Sequence, residues 1–188
     1  MRVAMWEAKK ANGDKKDIVG VEVGVDQGKH AFEILRDWKE IKILHLVDNY
    51  SQRQLSAHGD ARIMLETFRD KTKWHLIASL EAMLLFEDNS LDFVYIDASH
   101  VYLDVLRDCI TWYTKVRVGG VLCGHDYNTN WEKMTDMSPE WINSHGVVKA
   151  VDKFVESKNI EIDMDKLGKK IVLGTKTDGS SSDWWVVK

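Results

Sequence analysis

Short runs of apolar, largely β-branched residues alternate along this chain with segments in which apolar positions recur every three or four residues. The first pattern marks strands and the second amphipathic helices. Strands are predicted at 18–23, 43–47, 74–78, 92–97 and 119–124, and helices between them at 29–37, 56–69, 80–86 and 102–116. In the last helix Leu103, Leu106 and Ile110 read as the apolar face, with Asp104, Arg107 and Asp108 facing away from it. Alternation of this kind predicts an α/β fold, a parallel sheet wound on both faces by helices.

The alternation breaks near the end of the chain. A helix at 147–158 is followed by apolar stretches at 160–164, 170–175 and 183–187, and Asp178-Gly-Ser-Ser-Ser182 separates the last two. This predicts a closing antiparallel hairpin at a sheet edge. The whole is then a Rossmann-like, doubly wound sheet of seven strands, mostly parallel, whose antiparallel terminal strand comes from Trp184-Trp185-Val-Val187. Residues 127–145 carry no clean period and read as an excursion above the carboxyl ends of the strands, a lid or acceptor segment in which Trp131 and Trp141 could line a pocket.

The chemistry begins at the first strand-to-helix turn, Glu22-Val-Gly24-Val-Asp-Gln-Gly28. Glycines there let the backbone turn sharply and approach a ligand without a Cβ in the way. The next strand ends in Asp48, a carboxylate placed to accept both hydroxyls of a ribose. Two cofactors compete for this pattern. A dinucleotide fingerprint needs Gly-x-Gly-x-x-Gly, with the pyrophosphate on bare amides. Here Asp26 sits inside the loop, where it would repel a pyrophosphate and tolerate the cationic amino-acid end of S-adenosylmethionine.

Composition narrows the picture. With 188 residues, 44% hydrophobic and 30% charged, the chain suits a single globular domain, 1–188. A net charge of −4 advertises no nucleic-acid face, and no apolar run approaches a membrane span. The start has no signal-peptide apolar region, and Cys109 and Cys123 read as buried reduced thiols, so a cytoplasmic protein is expected. Trp6 reads as a hydrophobic anchor on the core or as a cover over a ligand.

Four blocks together resemble the class I S-adenosylmethionine-dependent methyltransferases, and more narrowly the small O-methyltransferases of the macrolide-sugar and catechol type. They are the Glu22–Gly28 loop, Asp48, Ala78-Ser79-Leu80 after the third strand, and Phe93-Val-Tyr-Ile-Asp97-Ala-Ser-His100 with Val118-Gly-Gly-Val-Leu-Cys-Gly-His125-Asp126. The resemblance implies a cofactor site of Glu22, Gly24, Gly28, Asp48, Ser79, Leu80 and Asp97, with the adenine beside Ser79 and Leu80. Catechol-type relatives carry extra helices before the first strand, whereas seventeen residues precede Ile18 here, so a lid is expected from 127–145 or from another subunit.

The residues agree with that chemistry. Asp97 and Asp126 end neighbouring strands, and His100 is one short turn beyond Asp97. His100 is placed to act as general base, with Asp97 beside it. Two strand-end carboxylates also suit a divalent cation, magnesium or manganese, with Asp97, His125 and Asp126 as ligands; the imidazole favours manganese. The expected activity is methyl transfer to a hydroxyl of a small molecule, a sugar or phenol, by a chain that needs no nucleic acid or membrane and could form homo-oligomers. The alternatives are a methyltransferase-like protein that binds cofactor without chemistry and, against the glycine spacing, an NAD(P)-dependent oxidoreductase.

Overall fold

The computed structural model describes residues 1–50, 55–127, 146–165, 170–178 and 181–188. Helix α1 (Val3–Asn12) leads into β1 (Ile18–Val23), α2 (Lys29–Asp37), β2 (Ile41–Val47) and α3 (Leu55–Met64). Then come β3 (Thr72–His75), a short α4 (Ser79–Ala82), β4 (Leu91–Ile96), α5 (Tyr102–Lys115) and β5 (Val116–Gly124). Helix α6 (Val147–Asp165) precedes β6 (Leu173–Asp178) and β7 (Ser181–Val187).

The seven strands form one sheet in the order β3-β2-β1-β4-β5-β7-β6. β1 pairs in parallel with β2 and β4, and β7 runs antiparallel to β5 and β6. The order reverses between β1 and β4, where the chain crosses from one half of the sheet to the other. Such a reversal opens a crevice at the carboxyl ends of the strands.

Two cores flank the sheet. Alternate residues of β4 divide between them: Phe93 and Tyr95 join Met5, Ile34, Leu35 and Ala61 of α1, α2 and α3, while Val94 and Ile96 join Cys109, Trp112 and Phe154 of α5 and α6. Every residue of β4 is buried, as expected of a central parallel strand covered on both faces. Both cysteines are buried and free. Among the described residues, no helix is long and apolar enough to cross a membrane.

The alternation and the antiparallel closing strand match the sequence reading, and four details differ. Residues 160–164 continue α6 instead of starting a strand, their apolar–polar alternation being too short to stand against the helix that precedes it. β3 spans 72–75 and ends before the expected 74–78 does. Trp6 is half exposed with Lys9 over its ring, since the inward face of α1 is formed by Ala4, Met5 and Ala8. Finally, α5 is turned from its expected setting: Leu103 and Ile110 are exposed, whereas Val105, Asp108, Cys109 and Trp112 are buried.

At the amino end of the sheet one carboxylate ties four segments. Asp92 accepts from Arg117 Nε at 2.6 Å, Lys15 Nζ at 2.7 Å and the Val19 amide at 2.8 Å. Burial opposes its charge, but the bonds from Lys15, Arg117 and Val19 outweigh it and hold its carboxyl below the usual carboxylate range. A depressed carboxylate contributes stability that is full above its unfolded pKa of about 3.9 and is lost as pH falls through the folded value. Asp92→Asn is expected to cost on the order of 3 kcal/mol near neutral pH, with the deficit shrinking toward pH 3 in urea titrations across that window.

Candidate functional site

A cleft of about 780 Å³ opens at the β1/β4 switch point. Its floor is the turn after β1. Gly24 has φ +88°, and a Cβ there would lie 2.0 Å from the carbonyl oxygen of Asp97, so only glycine lets the two strand ends meet. Gly28, at φ +76°, precedes α2 and stands behind the cleft, close to Ala61. The loop between them is held by Asp48. One carboxylate oxygen accepts from the amides of Val25 and Asp26 at 2.9 and 3.1 Å, and the other from that of Tyr50 at 2.9 Å. Tyr50 is buried and donates to the Asp26 carbonyl.

Glu22 lines the cleft with its side chain almost wholly buried. Its Oε1 faces His30 Nδ1 at 2.8 Å, while Oε2 and His30 Nε2 have no partner among the described residues. Burial drives the two in opposite directions. It pushes the Glu22 carboxyl well above its ordinary range and pulls the imidazole down to about 3, so the pair favours its uncharged form. An unpartnered buried carboxyl oxygen at a cleft wall is a site prepared for a donor, and above all for a cationic one.

A cation stands nearby. Arg2 Nη1 donates to Asp97 Oδ2 at 2.7 Å and to the Tyr95 hydroxyl at 2.6 Å. Arg2 reaches this position because α1 docks beside β5 and β7, where Asp183 Oδ2 accepts from the Ala4 amide at 3.0 Å. Sequence reasoning missed Arg2, whose neighbourhood carries no motif; only the docking of α1 brings it here.

His100 and Asp126 meet at the far rim. His100 Nε2 lies 2.9 Å from Asp126 Oδ2, and His125 Nδ1 lies 3.1 Å from Asp126 Oδ1. The Asp126 bond raises the His100 pKa above that of an ordinary imidazole, against burial. Burial opposes ionisation of Asp126, yet the bonds from His100 and His125 prevail and hold its carboxyl well below the usual range. Donor atoms of Asp97, His100 and Asp126 lie within 4.8 Å of one another. His125, expected as the third ligand, is outside that trio: its Nε2 faces Asp183 at 3.9 Å, too long for a hydrogen bond.

At the opposite end of the cleft are Ser79 and Leu80. Leu80 is partly exposed, and the Ser79 hydroxyl donates to Asp108 Oδ1 at 2.5 Å while accepting from Trp112 Nε1 at 2.8 Å. Asp108 was read as outward-facing; its burial raises its pKa to about 6. Seven of the expected residues, Glu22, Gly24, Asp48, Ser79, Leu80, Asp97 and His100, therefore line one cleft. His125 and Asp126 open on a narrow adjoining crevice shared with Asp97 and His100. The expected lid, with Trp131 and Trp141, lies outside the described residues except for Tyr127, which is buried and bonded to Asp152.

Comparison with known proteins follows this geometry. No curated protein matches the chain. A protein of Corynebacterium glutamicum aligns with a TM-score of 0.68 and 13% identity over 99% of this chain and 78% of its own. An O-methyltransferase of Bacillus cereus, in complex with SAH, aligns with a TM-score of 0.67 and 14% identity over 98% and 79%. The O-methyltransferase TomG of Streptomyces achromogenes, involved in tomaymycin synthesis and in complex with SAM, aligns with a TM-score of 0.63 and 13% identity over 99% and 88%. At such identities the likeness is one of fold. A family model described as a methyltransferase domain matches residues 21–127, the span that carries both walls of the cleft, and the chain belongs to that family.

Proposed function

We propose that this chain is an S-adenosylmethionine-dependent O-methyltransferase acting on a small hydroxylated molecule, a sugar or phenol, with His100 as general base. The observation that carries the reading is the His100–Asp126 pair at the rim of a cleft whose other wall is Glu22, Gly24 and Asp48. The fold shared with two O-methyltransferases, one with SAH and one with SAM, supports it. A cytoplasmic setting fits the two buried free thiols.

The residues fit the cofactor. The unpartnered Oε2 of Glu22 suits the α-ammonium group, whose charge would draw the carboxyl back to its ionised form. Asp48, at the tip of β2, would accept from the ribose with the capacity that its three amide bonds leave. When bound, the cofactor supplies an electrophilic methyl group on a sulfonium. The remaining work falls to the chain. Asp126 accepts from Nε2 of His100, which makes Nδ1 the basic nitrogen of the neutral ring. His100 would take the proton of the acceptor hydroxyl, leaving its oxygen nucleophilic toward the methyl group. Asp126 stabilises the imidazolium that results.

A divalent cation fits the same residues poorly. Asp97 already accepts from the Arg2 guanidinium, and both oxygens of Asp126 are engaged by imidazoles. An ion among Asp97, His100 and Asp126 would have to displace these bonds and sit beside a fixed positive charge. This favours a reaction without metal, in which Arg2 balances the charge of Asp97.

Four outcomes are expected. His100→Ala lowers turnover by about 10²–10⁴-fold with little change in S-adenosylhomocysteine affinity. In the wild type the acid limb of the pH–rate profile lies above the ordinary imidazole value of about 6.5, because the base must be neutral, and Asp126→Asn moves it down. An unmoved limb would reject the pair. Asp48→Ala weakens S-adenosylhomocysteine binding by about tenfold or more in calorimetry, since bonds to a charged acceptor contribute ~1.5–3 kcal/mol each. Activity persists in excess chelator; its abolition, with restoration by manganese or magnesium, would reinstate the metal.

A further inference from the structure

The edge strand β3 has few backbone bonds to hold it. It is four residues long, stands at one end of the strand order and, among the described residues, pairs with β2 alone. Side chains attach it on both faces. On one face Trp74 packs against Tyr50 and His58, with Arg62 over the indole. On the other face two imidazoles meet: His45 Nδ1 of β2 lies 2.8 Å from His75 Nε2 of β3. The register sets Lys73 opposite His45 and Val47 opposite His75, so the two rings stand on one face, diagonally across the strand pair. Phe86 packs edge-on against both, at centroid distances of 4.8 and 5.7 Å.

At 2.8 Å the two nitrogens share one hydrogen, donated by one ring to the lone pair of the other. A first added proton is compatible with this bond. It goes to the outer nitrogen of the donor ring and leaves the inner N–H in place. A second proton finds only the accepting nitrogen on the inner side. There it would set N–H against N–H and charge against charge. Among the described residues no carboxylate pairs with either ring, and the charge facing them is the cation of Lys73. Burial, then the facing ring and Lys73, pull His45 down to about 4, and burial with Lys73 lowers His75. β3 in turn holds part of the cleft: the His75 carbonyl accepts from the amide of Asp48 at 3.2 Å, and the Asp48 side chain secures the glycine loop.

We propose that the His45–His75 pair is a pH-sensitive clasp, which ties β3 to the sheet while at most one ring is protonated and which the second proton opens, loosening the hold of β3 on Asp48. The device involves no ligand and is independent of the cofactor reading. Its sign follows from the closed strand favouring neutral His45, so that the open strand takes up the proton first. The contribution of the clasp is complete above the ordinary imidazole value of about 6.5 and declines as the pH falls from there toward 4, where the closed form is protonated too.

Hydrogen exchange of the full chain at about pH 7.5 and 5, with intrinsic rates corrected for pH, tests the clasp. In the wild type, protection of β3 is expected to fall by about tenfold or more relative to β1 and β4. His45→Asn with His75→Gln puts amide groups at the reach of Nδ1 and Nε2, so that a bond persists without a titrating ring. In this double variant the β3-specific loss is expected to vanish, although His58 on the other face is still present. An equal fall in β1, β3 and β4 of the wild type would overturn the proposal, as would a β3-specific loss that survives in the double variant. Nitrogen NMR of the wild-type rings gives a test that does not depend on the variant folding. The pair is expected to titrate in two separate steps, the second well below the ordinary imidazole value; both rings titrating together near 6.5 would remove the clasp.

Discussion

The meeting of β1 and β4 is the constraint on which the rest of the site depends. Their carboxyl ends are adjacent strands of one sheet, yet the connections that follow them leave on opposite faces, to α2 and to α5. At the parting point the backbone of residue 24 lies against the Asp97 carbonyl, at a distance that excludes any side chain. Because Gly24 accepts that approach, Glu22 and Asp97 come to line the same cleft. A bulkier residue would pry the strands apart where two acids, one guanidinium and the entrance to the crevice converge.

The cleft is rich in carboxylates, and the protein gives each a different task by its surroundings. Asp48 is fixed by three backbone amides and so doubles as the buckle of the glycine loop. Asp97 is balanced by Arg2, and Asp126 by two imidazoles. Among the described residues no cation bonds to Glu22, and burial drives it toward its neutral form, while Asp108 is supported by the Ser79 hydroxyl and sits between the extremes. The same functional group thus provides a brace, a counter-ion, an orienting partner for a base and two acceptors, with burial and partner geometry deciding which.

How much of this was legible in the sequence follows from where each signal resides. The Glu22–Gly28 loop and Asp48 were legible because strand ends and glycine turns are local features, and a parallel sheet delivers local strand ends to one rim. His100 and Asp126 were legible for the same reason. The rotation of α5 was not, because the usual rule places apolar residues inward, and a cleft that receives Asp108 inverts it at one position. Residues 160–164 alternate apolar and polar over too few positions to separate a strand from a helix. Arg2 and the role of His30 were illegible in principle, since one depends on the docking of a helix against β5 and β7 and the other on a buried partner eight residues away.

The bond between the Ala4 amide and Asp183 joins positions 179 residues apart. It bears on the order in which the molecule is assembled. Contacts of such separation form late, after the local and neighbouring elements have already restricted the chain. During synthesis β1 through β5 emerge and can pair while β7 is still to come. The floor and both walls of the cleft are then in place, but the buried acceptor that holds the start of α1 is not. Arg2 is carried toward Asp97 by the packing of α1 on β5, and the bond from β7 pins the start of that helix. The setting of Arg2 against Asp97 therefore depends on residues near both ends of the chain.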